Sequence, residues 1–261
     1  MEALGFFCCS VDEYIFAQRV PELLECYDSF EDEESRDLYA KLIMWRIQHI
    51  DPCLPILPLE QYFAQRGFLL SSNKEVFVDV GAFVGDTIER YLHKREGVFG
   101  QIYAFELDKD NYQALKYRIE RLKREWGIRD GRIFLANCGI GSQKSSSNLY
   151  RPSGTGLGSM MVDSTADGSE LQHIDIVTLD EYFPEQRVDF IKADVESYEY
   201  DLLLGGSEII RRDRPKMAIC IYHNATDMYR VMLYLKNLNL NYKFQLCHHS
   251  VTKSETVLYA Y

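Results

Sequence analysis

Apolar positions recur along the chain in two rhythms. Over residues 1–70 they return every three or four positions. Leu23, Leu24 and Tyr27 mark one helix face, and Tyr39, Leu42, Ile43, Ile47 and Ile50 the next. The acidic run Glu31–Glu34 gives the second helix a favourable negative first turn. Asp51–Pro58 carries three prolines and must interrupt it. Residues 1–70 are therefore expected to form a helical cap packed against a main domain, 71–261.

From Glu75 the rhythm changes to short apolar runs alternating with amphipathic stretches. Glu75–Val80, Gln101–Glu106, Arg132–Ala136, Arg187–Ala193 and Lys216–Tyr222 read as buried strands. Between them lie helices carrying Ile88, Tyr91 and Leu92; then Tyr112, Leu115, Ile119, Leu122 and Trp126; then Met228, Val231, Met232, Leu235 and Leu238. Tyr242–Cys247 and Glu255–Tyr261 read as a closing hairpin. Repeated βα units with such an ending predict an α/β fold with a mostly parallel sheet and an antiparallel strand at or near its edge. Residues 142–172, rich in Ser and Gly, break the pattern and are expected as a loop or irregular hairpin near the site. Their glycines, Ser153–Ser159 included, lack the strand–helix context of a phosphate loop.

Composition narrows the possibilities. The 261 residues fit one large α/β domain with a helical extension, and 46% hydrophobic residues supply an ample core. No run is long enough to cross a bilayer, and no secretory signal is evident, so the expected compartment is the cytoplasm. Seven widely spaced cysteines with no C-x-x-C pair argue against a disulfide framework or thiolate metal site, and adjacent Cys8 and Cys9 read as idle or buried thiols. A net charge of −11 disfavours a nucleic-acid partner. The basic cluster Lys116, Arg118, Arg121, Lys123, Arg124, Arg129 and Arg132 reads mostly as a solvated helix face.

Candidate chemistry gathers at the carboxyl ends of the strands, where open α/β sheets bind ligands. Asp79-Val80-Gly81-Ala82-Phe83-Val84-Gly85-Asp86 joins a strand to a helix, with Gly81 and Gly85 allowing a sharp turn and close backbone approach. Phe83 stands where a dinucleotide fingerprint would have its middle glycine, so a small cofactor without phosphates fits better than a pyrophosphate. Glu106, ending the second strand, can accept hydrogen bonds from both hydroxyls of a ribose. Asn137 and Cys138 follow the third strand, on the edge that would face an adenine. Asp194 and Glu196, after Lys192-Ala193, point to the same cleft: Asp194 can hold a cofactor amino group or orient a substrate hydroxyl, and Glu196 can act there or cap the next helix. His223 is the histidine best placed for general-base work, with a structural role as the alternative. His248 and His249 would point to opposite faces of a strand, so no metal is expected.

With these residues in hand, the chain resembles the FkbM family of S-adenosylmethionine-dependent methyltransferases. The resemblance rests on Val76–Thr87 (VFVDVGAFVGDT), Tyr103–Asn111 (YAFELDKDN), Ile174–Asp180, Phe190–Glu196 (FIKADVE) and Ser254–Ala260 (SETVLYA). It implies a class I methyltransferase fold, Rossmann-like and seven-stranded, with S-adenosylmethionine across the carboxyl ends of the strands. The cofactor-binding set it and the motifs imply is Asp79, Gly81, Ala82, Phe83, Gly85, Asp86, Thr87, Glu106, Leu107, Asn137, Cys138 and Asp194. The family's Asp-x-Glu-Gly motif falls on Asp194, Glu196 and Ser197, so this chain has serine where glycine is usual. The resemblance implies O-methylation of a sugar hydroxyl in a glycan or glycoconjugate precursor, with Asp194, His223 and Glu196 as candidate catalytic residues. The rivals are a methyltransferase-fold scaffold without turnover and a nicotinamide-dependent oxidoreductase, which the glycine spacing disfavours.

Overall fold

Five consecutive buried side chains, Val76–Val80 (β1), form the middle of the main sheet. In a computed structural model, residues 11–54, 56, 61–63, 72–150, 160–162 and 172–261 are described; Cys8, Cys9 and the Ser153–Ser159 stretch lie outside them. The strands that follow are Gln101–Phe105 (β2), Ile133–Ala136 (β3), Gly139–Ile140 (β4), Ser145–Tyr150 (β5), Met160–Val162 (β6), Gln172–Val177 (β7), Phe190–Ala193 (β8), Lys216–Cys220 (β9), Phe244–His248 (β10) and Thr256–Ala260 (β11). The seven-stranded sheet runs β10–β11–β9–β8–β1–β2–β3, and only β11 runs against its neighbours. This is the mostly parallel sheet and closing antiparallel hairpin that the apolar runs predict.

Side-chain alternation splits the core into two layers. Phe77, Phe190 and Ala218 belong to one apolar cluster, Val78, Ile191 and Met217 to the other, as expected when successive residues of a strand face opposite sides. The first layer is closed by the helices Asp86–Lys94 (α4) and Lys109–Trp126 (α5), through Ile88, Tyr91 and Leu92 and through Leu115, Ile119 and Leu122. Phe77 stacks there between Tyr91 and Phe190, at ring-centroid distances of 4.5 and 4.8 Å. The basic residues of α5 lie outside this stripe, where Arg118 and Arg121 both pair with Glu89.

The second layer is closed by Leu179–Tyr182 (α6), Glu199–Gly205 (α7), Ser207–Asp213 (α8) and Asp227–Asn237 (α9), joined by the amino-terminal helices Val11–Ala17 (α1), Val20–Ser29 (α2) and Glu33–Gln48 (α3). Asp32 caps α3 by accepting from Ser35 N at 2.7 Å, and His49 ends it in a left-handed conformation before the prolines. These helices share the core of the sheet: Tyr39 donates to Met228 O, and Leu246 N donates to Ser35 Oγ. The apolar face of α2 differs from the periodicity reading. Leu24 and Tyr27 are exposed, whereas Cys26 is wholly buried against α9, because a small side chain fits this close helix contact. Ile50 is also exposed, having fallen past the end of α3.

The Ser/Gly segment, expected as a loop or irregular hairpin, supplies strands of a second sheet. β5 pairs antiparallel with both β6 and β7, and β7 pairs parallel with β4, giving a second, four-stranded sheet. Its serines at 145–147 carry too little apolar surface to announce a strand, and the pairing is set by backbone bonds to β7. Among the described residues, no helix is long and apolar enough to cross a membrane.

Candidate active site

The turn after β1 hangs from the end of β2. Gly81 N and Ala82 N both donate to Phe105 O, and Phe83 N donates to Glu106 Oε2 at 2.8 Å. Gly81 has a φ of +76°, and a Cβ there would lie 1.9 Å from Asp194 O, so only glycine fits. Gly85, at φ +83°, starts α4 and packs on Leu115. Phe83 also takes a positive φ, of 49°, which leaves its side chain on the cavity wall.

The strand ends and this turn enclose a cavity of about 360 Å³. Of the residues expected at a cofactor, Gly81, Phe83, Asp86, Thr87, Glu106, Leu107, Cys138 and Asp194 line it. Asp79, Ala82, Gly85 and Asn137 do not. Asp79 and Ala82 are buried beneath the turn. Asn137, expected beside an adenine, braces the strand ends: its amide donates to Glu106 O and Leu107 O at 2.8 and 3.0 Å.

Glu106 is nearly buried, and its two carboxylate oxygens accept from Phe83 N and Asp108 N. Burial pushes it up to about 7, against the pull of those two N–H donors. Each oxygen retains acceptor capacity toward a ligand. Beneath the turn, Lys192 Nζ lies 3.1 Å from Asp79 Oδ1 and donates to Gly81 O at 2.6 Å. Burial lifts Asp79 to about 6 even with Lys192 beside it. Lys192 is itself held above its ordinary value, because Asp79 and Asp194 outweigh its burial.

The other end of the cavity is built around Asp194. Its Oδ2 accepts from Tyr62 Oη at 2.8 Å and its Oδ1 from Tyr222 Oη at 3.2 Å. Burial would raise this carboxyl, but Lys192, His223 and the Tyr62 hydroxyl together hold it below its ordinary value. Glu196 and Ser197 follow with φ of 51° and 81°, so the serine adopts the left-handed backbone that glycine would take freely. Glu196 is exposed to the cavity, and burial of its surroundings raises its carboxyl.

His223 stands just behind the lining, its Nδ1 2.7 Å from Glu199 Oε1 and its Nε2 3.4 Å from Asp194 Oδ1 and 3.6 Å from Glu196 Oε2. Burial lowers its pKa, but the three carboxylates outweigh it and raise it to about 9. The carboxylates on both ring nitrogens favour the charged form of His223, which weighs toward the structural role and against the general-base one. The sequence reading also missed Tyr62, Lys192, Tyr222, Glu199 and Glu255. Only Lys192 left a signal, a charge inside an otherwise apolar strand beside a second strand with its own buried acid. His248 and His249 bond separately, to Thr256 Oγ1 and Tyr259 Oη, as expected for neighbours on opposite faces.

The lining is acidic, with Asp86, Glu106, Asp108, Asp194, Glu196 and Glu255 set against Lys192. Such a cavity opposes a pyrophosphate and suits a small cofactor carrying positive charge.

The sequence matches the family described as Methyltransferase FkbM domain over residues 79–244, more than half of the chain, and the chain belongs to that family. Among solved structures it is similar to the methyltransferase FkbM of Methylobacillus flagellatus KT, with a TM-score of 0.77 and 22% identity over 95% of this chain. The chain spans 60% of that protein's length. It is also similar to a putative rRNA methylase of Clostridium thermocellum, at a TM-score of 0.50 and 10% identity, covering 79% of this chain and 96% of that one. No curated protein matches the sequence. The fold is that of class I methyltransferases, and the cofactor that goes with this family is S-adenosylmethionine.

Proposed function

We propose that this member of the FkbM methyltransferase family transfers a methyl group to a hydroxyl oxygen, with a sugar of a glycan or glycoconjugate precursor as acceptor. The observation that carries this reading is the pair of carboxylates, Asp194 and Glu196, facing the cavity beside His223. A neutral hydroxyl must lose a proton as it reacts, and a positioned base typically contributes about 10²–10⁴-fold. The tyrosines Tyr62, Tyr198 and Tyr222 and the acid Glu255 add hydroxyl-binding and ring-stacking surface at the same end.

When bound, S-adenosylmethionine supplies a methyl group already activated on a sulfonium. Glu106 would accept the ribose hydroxyls, and Leu107, Cys138, Ile140 and Leu149 would offer an apolar slot for a base. Asp86, Asp108 and Asp194 favour the cofactor's positive charges. Lys192 fixes the carbonyl of Gly81, which keeps the turn in register with the sheet. Alignment of this kind can contribute about 7–11 kcal/mol of barrier lowering.

The test combines calorimetry and turnover. S-adenosylmethionine should bind the native chain and fail to bind Glu106→Ala. Release of S-adenosylhomocysteine should then require an acceptor pool containing free sugar hydroxyls. Binding with no turnover on any hydroxyl acceptor would instead favour the scaffold reading.

A further inference from the structure

Tyr62 lies outside the family segment 79–244, yet it reaches the centre of the site. Its backbone is left-handed, at φ 66°, a conformation that a non-glycine residue keeps only where its surroundings hold it, and such residues cluster at functional sites. Its side chain is buried, with the ring centroid 5.2 Å from Lys192 Nζ and the hydroxyl donating to Asp194 Oδ2 at 2.8 Å. Gln61 Nε2 donates to that same hydroxyl at 3.1 Å and also to Glu255 Oε2, which leaves the phenol's own proton directed at Asp194. Burial and the neighbouring Asp194 push the Tyr62 phenol well above its ordinary value, so it stays a donor.

Asp194 thus has a donor on each oxygen, Tyr62 on Oδ2 and Tyr222 on Oδ1, with Lys192 close by and His223 Nε2 3.4 Å away. All four favour its charged form, and a carboxylate so held is a weak base. Glu196, two residues on, is in the opposite circumstances. Its side chain is 59% exposed and lines the cavity, with His223 Nε2 3.6 Å from Oε2. Among the described residues no hydrogen bond reaches its carboxylate. Burial, with Asp194 and Glu199 nearby, raises that carboxyl against the pull of His223, which is the direction that suits a base working near neutral pH.

We propose that the two carboxylates divide the work: Tyr62 commits Asp194 to anchoring the cofactor's positive charge, and Glu196 takes the acceptor's proton. Tyr62 is then a positioning residue that acts through Asp194. The assignment rests on the methyl-transfer reading. The acceptor's O–H bond breaks toward Glu196 as its O–CH₃ bond forms, and the electron pair of the broken S–CH₃ bond stays on sulfur. Glu196 then passes the proton to water, which its exposure allows.

Two measurements on the full chain separate the roles: calorimetry with S-adenosylmethionine, and release of S-adenosylhomocysteine with a pool of neutral methyl glycosides as acceptor. Asp194→Asn should weaken cofactor binding about tenfold and Tyr62→Phe about threefold, while Tyr62→Phe added to Asp194→Asn should weaken it no further. Glu196→Gln should bind the cofactor as the native chain does, lose about 10²–10⁴-fold in turnover, and lose the acid limb of its pH profile. Tyr62→Phe keeps the ring and Glu196 is exposed, so both variants should stay folded, which thermal unfolding checks. Additive losses of affinity in Tyr62→Phe and Asp194→Asn overturn the positioning role, since a tyrosine that only packed would act independently of the carboxylate. Turnover and an acid limb retained in Glu196→Gln overturn the base assignment. A native chain that binds the cofactor but turns over no glycoside removes the base assignment together with the methyl-transfer reading, and the coupling of Tyr62 to Asp194 is then decided by calorimetry alone.

Discussion

Lys192 and Asp79 are direct partners in the register of two adjacent parallel strands, so a buried ammonium and a buried carboxylate meet at the centre of the sheet. Both are essentially out of solvent, and neither strand carries another charge. The pair lies under the glycine turn, and Lys192 also holds the Gly81 carbonyl. Its effect is thus on the shape of the cofactor cavity as well as on stability.

Removing one partner leaves the other charge buried and uncompensated. Lys192→Met is expected to destabilise the protein by about 3–5 kcal/mol, read by urea unfolding. Adding Asp79→Asn should recover part of that loss. If the double variant loses the full sum of the single losses, the two charges are not coupled.

Gly81 and Gly131 share the same unusual backbone, with φ of +76° and +78°, but differ in their surroundings. Gly131→Ala meets nothing within 4 Å and should cost only the backbone penalty, about 1–2 kcal/mol. Gly81→Ala drives a methyl into Asp194 O and should cost more and abolish cofactor binding. Equal shifts in thermal unfolding for the two variants would refute this account of the turn.

Much of the fold is legible in the sequence for a simple reason. The buried strands are continuous apolar runs, and their helices carry stripes at regular spacing, so both the sheet and the glycine turn follow from local pattern. Local pattern fails where partners are distant. Tyr62 reaches Asp194 across 132 positions, and no periodicity marks it. The upward pull on the pKa of His223 comes from Glu199, Asp194 and Glu196 around it, not from its place after a strand. Asn137 stands out by its place after a strand, but that its amide donates to Glu106 O and Leu107 O is a tertiary fact.

Glu106 gives the cofactor site a pH dependence. Its pKa of about 7 in the free protein should fall when ribose hydroxyls donate to it, since they favour the charged form. Affinity should therefore rise with pH up to about 7, by as much as tenfold per unit, and level off above. Calorimetry from about pH 5.5 to 8.5 reads this directly. Glu106→Gln should bind weakly and show a flatter profile, and an unchanged slope would assign the titration elsewhere.

Ser197 holds a left-handed backbone at φ 81°, which costs a non-glycine residue about 1–3 kcal/mol. Ser197→Gly releases that strain but frees the unfolded chain, so the net gain should be about 1 kcal/mol or less. Thermal unfolding checks the sign. A clear loss of stability would mean that the serine side chain contributes something the backbone argument omits.

The order of strands carries one more consequence. β11 comes after β10 in sequence, yet it is inserted between β9 and β10 in the sheet. Until it arrives, β10 has no sheet neighbour and β9 is an open edge, a template for pairing with another chain. The matched family segment stops at Phe244, the first residue of β10, so a fragment trimmed to it would lack both this inserted strand and the Tyr62 wall. Such a fragment would retain the glycine turn and yet be sticky, unfinished and missing one side of its own cavity.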